Sequence, residues 1–218
     1  FPLVALVVSG GHTFLVEMRN HLDYRFLGGT VDDAAGEAFD KVGRLLGLGY
    51  PGGPAIGRSA EAATRRDIVF PRAWLSGTFD FSFSGLKTAA RKIIDAARSD
   101  RGLSADPTEH LPTDDIAELA WGFQDSVTDV LVAKTINAAR ACGARSIVLG
   151  GGVAANSALR RRLQGEAEDL GIPVIIPRPA LCTDNGAMIG AAAARRFAAG
   201  ERAGLDLDAR PSLPLAPR

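Results

Sequence analysis

Ser146-Ile-Val-Leu-Gly-Gly-Gly-Val-Ala-Ala-Asn156 is the stretch on which the fold turns. Ser146 to Leu149 is short, apolar and β-branched, as a buried strand is, and the apolar spacing from Ala155 to Leu170 is that of a helix. Pro173 to Ile176 and Asn185 to Ala199 repeat the pair. Strand, helix, strand, helix predicts an α/β fold. Three consecutive glycines carry a large folding entropy. Set between a strand and a helix N-terminus, they expose backbone amides at the carboxyl edge of a parallel sheet, where a nucleotide fits. The alternative is a plain loop. The spacing is neither the dinucleotide fingerprint nor a P-loop.

Upstream, Leu3 to Val8 is a continuous apolar run, Ser9-Gly-Gly11 a turn, and Thr13 to Met18 alternates, so the chain opens on a predicted hairpin. The turn is either an ordinary hairpin turn or a second set of exposed amides for phosphate oxygens. Asp33 to Leu46 has helical spacing, with Asp33, Glu37 and Asp40 on its polar face. Tyr50-Pro-Gly-Gly-Pro54 leads into a short helix over 55–63. Phe79 to Phe83 alternates like an edge strand, and a basic helix runs from Gly85 to about Arg98. Ser99 to Pro112 reads as a loop. Thr113 is placed to cap a long helix, Asp114 to Cys142, which Gly143 ends. The Pro-rich tail from Glu201 is expected to wrap the surface.

The chain has 218 residues, enough to bury a core, and 46% of them are hydrophobic against 23% charged, which excludes intrinsic disorder. Lys and Arg together number 25, as do Asp and Glu, so any nucleic-acid contact must be a local patch. The candidates are Lys87, Arg91 and Lys92 with Arg65 and Arg66, or else a solvated helix face. Two cysteines, Cys142 and Cys182, suit a reducing cytoplasm. The longest apolar runs, Leu3 to Val8 and Ala187 to Ala194, are too short to span a membrane. Residue 1 is Phe and opens directly into a strand-like run, so an N-terminal part of the fold is expected to lie upstream.

Thr183-Asp184-Asn185-Gly186 precedes a helix, where Asp184 either caps the helix or binds a metal. His12, His21 and His110 show no metal-ligand spacing. No nucleophile-base set stands out, which leaves a protease reading without support.

Six segments occur in order: Val7-Val-Ser-Gly-Gly-His-Thr13, Asp32-Asp-Ala-Ala-Gly-Glu-Ala-Phe-Asp-Lys41, Tyr50-Pro-Gly-Gly-Pro54, Phe81-Ser-Phe-Ser-Gly-Leu-Lys-Thr88, Gly151-Gly-Val-Ala-Ala-Asn156 and Cys182-Thr-Asp-Asn-Gly-Ala-Met-Ile189. The series resembles the TsaD family, formerly called Gcp, over nearly the whole chain. The resemblance implies an actin-like, sugar-kinase ATPase (ASKHA-type) fold, a mixed sheet flanked by helices. Residues 1–30 would be a hairpin of a first lobe, 31–200 a helical insert and second lobe, and 201–218 a tail.

It further implies transfer of a threonylcarbamoyl group from threonylcarbamoyl-AMP to N6 of adenosine 37 in tRNAs reading codons that start with A. Val7, Val8, Ser9, Gly10 and Gly11 then match the segment that holds the nucleotide-linked substrate, with Asp40, Gly53 and Asn156 completing its binding. Asp184 matches the carboxylate ligand of one iron or zinc ion, and catalysis is expected to depend on Asp40 and Asp184. Relatives take two further metal ligands from an upstream HxxxH motif that this sequence lacks, so weak or absent metal binding and an inactive isolated chain are expected. The partners implied are tRNA, threonylcarbamoyl-AMP or ATP/AMP, and TsaB-like and TsaE-like proteins, with no membrane. The rival readings are another carbamoyltransferase or ATPase of the same fold, and a non-catalytic binding subunit.

Overall fold

The structure, a computed structural model, describes residues 1–104 and 109–208. β1 (Leu3–Val8) and β2 (Thr13–Met18) form the expected hairpin, and β3 (Tyr24–Gly29) adds an antiparallel edge. The helices α1 (Ala35–Leu45), α2 (Gly52–Glu61), α3 (Ser84–Asp100) and α4 (Thr113–Ala141) follow. The chain then returns to the sheet as β4 (Ser146–Gly150), α5 (Ser157–Glu168), β5 (Val174–Ile175) and α6 (Gly186–Ala198). The five strands lie in the order β3-β2-β1-β4-β5, with β4 parallel to both β1 and β5. A mixed sheet flanked by helices is therefore what the alternating pattern produces.

The core sits where α4 crosses behind the sheet and against α2. Because α4 is buried on several sides, its apolar residues run around the helix rather than along one stripe. Phe123 on α4 meets Phe39 of α1 and Phe70 edge-on, with ring centroids 5.2 and 6.0 Å apart. Asp125 and Asp129, one turn apart on α4, each pair with Arg72 and with Arg162 of α5. These bonds tie the segment after α2 and helix α5 to the same central helix.

Several sequence expectations change. Strand β3 went unread. Phe79 to Phe83 is not a strand: it makes a single bridge, Phe81 to Thr30, because Asp32 captures the chain that follows. The Asp32 carboxylate accepts from the backbone N–H groups of Phe83 (2.8 Å) and Ser84 (3.2 Å) and from the Ser82 and Ser84 hydroxyls, which turns the chain into α3. Burial of this carboxylate is more than offset by those bonds, so its pKa lies below the usual carboxylate value.

Thr113 is the first residue of α4 and makes no cap bond, since the extended residue before the helix is Pro112. Asp184 does not cap α6; the Asn185 side chain does, accepting from Met188 N–H at 3.1 Å. Helix α5 starts after a 3-10 turn over Gly152–Ala155, capped by Asn156. Gly143 ends α4 with φ +56°, as expected. Helix α3 runs on through Ser99 and Asp100, and parts of the expected loop and tail, 105–108 and 209–218, lie outside the described residues. Tail residues 201–208 are exposed and carry no helix or strand.

Candidate active site

In the parallel pair β1 and β4, Val7 stands opposite Gly150, so the turns that follow both strands leave the sheet at one edge. Ser9 N–H donates to the His12 carbonyl (2.7 Å), and the Ser9 hydroxyl accepts from His12 N–H (3.1 Å), closing the first turn. Gly10 and Gly11 at its tip have open space where a Cβ would lie. In the second turn Gly151 has φ +93°, and a Cβ there would fall 2.4 Å from the Val8 carbonyl oxygen. One of the three glycines therefore has a packing reason after all, while Gly152 faces open space.

Helix α1 starts against the first turn: Gly36 N–H donates to the Ser9 carbonyl at 3.1 Å. One turn on, the Asp40 carboxylate accepts from Gly52 N–H at 2.7 Å, satisfying one of the free amides at the start of α2. Gly43 and Gly52 let the two helices approach, since a Cβ on Gly43 would lie 2.9 Å from Gly52 Cα. Between the two glycine turns, α1 and α2 opens a cleft of about 500 Å³.

The cleft is lined by Gly10, Asp40, Gly53 and Asn156 of the sequence-predicted set. The others stand apart. Val8 is fully buried in β1 and Val7 half-buried, so they contribute backbone position rather than side-chain contact. The Ser9 hydroxyl is engaged by His12, and Gly11 is exposed off the cleft wall. Asp184 is exposed, next to Thr183, which does line the cleft.

Asn156 has both ends of its amide in use. Its Oδ1 accepts from Leu159 N–H (2.9 Å), and its Nδ2 donates to Gln124 Oε1 (2.7 Å), which leaves one N–H for a ligand. The acidic stripe divides: Asp33 and Glu37 both hold Lys41, at 2.7 and 2.9 Å, and only Asp40 reaches the cleft. Those two carboxylates, Asp33 foremost, raise the Lys41 pKa.

Sequence reasoning missed Tyr50, Arg58 and Glu61, which also line the cleft. Gly53, Pro54, Gly57, Arg58 and Glu61 share one face of α2, and helical spacing from Gly53 could have found them. The expected basic residues come from two segments. Lys87, Arg91 and Lys92 lie on α3, where Arg91 is 3.9 Å from Asp95, and Arg65 and Arg66 follow α2.

Among the described residues no three His, Cys, Asp or Glu side chains come together as a metal site. Asp184 offers one oxygen donor, so the described residues do not fit a complete iron or zinc site. No described helix is long and apolar enough to cross a membrane.

Residues 1–191 match the model of the tRNA N6-adenosine threonylcarbamoyltransferase family, TsaD. A protein of that name from Thermomicrobium roseum is 52% identical over all of this chain and 61% of its own length. One from Moorella thermoacetica is 51% identical over 98% of this chain and 60% of its own length. The chain thus spans about three-fifths of the length of the curated relatives it matches. Among solved structures, full-length HypF in the phosphate- and nucleotide-bound form superposes with a TM-score of 0.63 at 13% identity, over 89% of this chain and 40% of that one. HypF from T. kodakarensis gives 0.54 at 16% identity, over 82% and 21%. The likeness to HypF is one of fold, a mixed sheet flanked by helices.

Proposed function

The chain belongs to the tRNA N6-adenosine threonylcarbamoyltransferase family, and from that premise we propose that it carries the donor-binding cleft of an enzyme that moves a threonylcarbamoyl group from threonylcarbamoyl-AMP to N6 of adenosine 37 in tRNAs reading codons that begin with A. The observation that carries this reading is the meeting of two glycine turns with Asp40 and Asn156 around one cleft at the carboxyl edge of the sheet. That is the edge where open α/β sheets bind ligands.

In this reading the amides of Gly10, at the tip of the first turn, and of Gly152 face the phosphate. Asp40 has one oxygen on Gly52 N–H and presents the other to a ribose hydroxyl. Gly53 lets the sugar approach the start of α2. The free N–H of Asn156 and the Arg58 guanidinium meet the remaining anionic oxygens. The N6 amine attacks the carbamoyl carbon, a C–N bond forms, the C–O bond to phosphorus breaks and AMP departs with the electron pair as N6 loses a proton. Fixed amides aimed at the phosphate stabilise the departing charge without reorganising.

Iron or zinc at Asp184 would need ligands beyond the described residues, and no step above runs through it. TsaB-like and TsaE-like partners and a cytoplasmic setting belong to the same proposal; Cys142 and Cys182 both being free suits the latter. The test is transfer of labelled threonine onto an ANN-decoding tRNA by the full-length protein with its partners. Asp40→Asn should weaken donor binding by about one to two orders of magnitude, the worth of a charge-assisted bond. Asp184→Asn should lower turnover. Wild-type kinetics in both variants would overturn the assignment.

A further inference from the structure

Beside the cleft lies a groove bordered by exposed guanidinium groups that make no ion pair among the described residues. Arg66 has φ +57°, a left-handed backbone that a non-glycine residue keeps only where its surroundings impose it. Glu118 imposes it. This side chain on α4 is 3% exposed, and its carboxylate accepts the backbone N–H groups of Thr64 (2.8 Å), Arg65 (2.8 Å) and Arg66 (2.7 Å). The bend so fixed sets the Arg66 guanidinium 6.0 Å from the centroid of the Trp121 ring. Trp121 in turn lines a groove of about 230 Å³ with Asp125, Ala158, Arg161 and Arg162.

Asp125 is held by Arg72 and Arg162, whereas Arg66 and Arg161 are exposed and make no ion pair among the described residues. Asp67, the nearest acid in sequence, lies 3.9 Å from Arg65 instead. The groove adjoins the cleft directly. Asn156 and Ser157 line the cleft, Ala158 lines the groove, and Gln124 on the groove wall accepts from the Asn156 amide at 2.7 Å.

We propose that the groove lined by Trp121 and Arg161, together with Arg66 beside Trp121, receives the phosphate backbone and one unstacked base of the acceptor RNA as its target adenine enters the cleft. The proposal rests on the reading that the acceptor is an RNA. Adenine N6 reaches the cleft only if the flanking nucleotides lie on its rim. Guanidinium groups bind phosphate bidentately, and an aromatic face that already holds a cation suits an unstacked base. In a chain of zero net charge such attraction has to be local.

The test uses the full-length protein with its partners: fluorescence anisotropy with labelled ANN-decoding tRNA at several salt concentrations, and AMP binding by calorimetry in parallel. Arg66→Gly relieves the left-handed backbone, so this variant keeps the fold while removing the charge. Arg161→Ala changes an exposed helix position. Each should bind tRNA about fivefold to tenfold more weakly, with the salt slope reduced by about one, and keep wild-type AMP affinity. If the wild type binds tRNA through Arg66 and Arg161 yet transfers nothing, the groove stands and the reaction assigned above falls. Unchanged tRNA affinity and salt slope in both variants would overturn the groove, as would loss of a protein partner with tRNA binding intact.

Discussion

A methyl group on Gly151 would sit 2.4 Å from the Val8 carbonyl oxygen, whereas one on Gly152 would meet nothing within 4 Å. With φ +93° and ψ 170°, Gly151 is also in a region that only glycine occupies freely. Gly151→Ala should cost about 1–3 kcal/mol from the backbone alone, with the overlap added, and Gly152→Ala less than about 0.5 kcal/mol. Urea unfolding of the two variants checks this; equal midpoints would contradict it. Asp40 has a structural share beside its proposed role in binding. Asp40→Ala removes the acceptor of Gly52 N–H and should cost about 1 kcal/mol, while Asp40→Asn can keep an oxygen there and cost less. The sequence marks the run of glycines but not which one packs, because that depends on a strand almost 150 residues earlier in the chain coming alongside.

Two carboxylates organise elements from a distance. Asp32 starts α3, and Glu118 fixes the bend after α2. The backbone N–H of Arg65, followed by those of Arg66 and Thr64, outweighs burial and holds Glu118 at about 2, below its usual 4.5. The folded value is the lower one, so the stability Glu118 contributes is present above about pH 4.5 and is lost as the pH falls towards about 2. Glu118→Gln should flatten the acid limb of the unfolding curve over that window; an unchanged limb would show that the bend does not need the charge. Such caps across space leave no local pattern, which is why the hold of Asp32 on the start of α3 is not legible in the sequence and Phe79 to Phe83 reads as a strand. The long helices were legible because their apolar spacing persists over many turns. Strand β3 was not, since only Tyr24 to Leu27 carry a strand signal before two glycines weaken it.

At the scale of the molecule, the cleft gathers residues from the first turn, α1, α2 and the turn before α5. Alternation of strand and helix showed which edge of the sheet would hold it, and the ordered motifs named Gly10, Asp40, Gly53 and Asn156. Arg58 and Glu61 came into view only when α2 was seen lying along the cleft. The place of Arg66 beside Trp121 depends likewise on Glu118 reaching back from α4. On the proposed reading a nucleotide occupies the cleft between the glycine turns. It is tested by a calorimetric titration of AMP into the full-length protein and its Gly152→Val variant, where the new Cβ meets no neighbour and the side chain is added at the cleft wall. The expected result is an unchanged unfolding midpoint with AMP affinity at least about tenfold weaker, a difference of about 1.4 kcal/mol or more. Wild-type affinity in a folded Gly152→Val protein would contradict it.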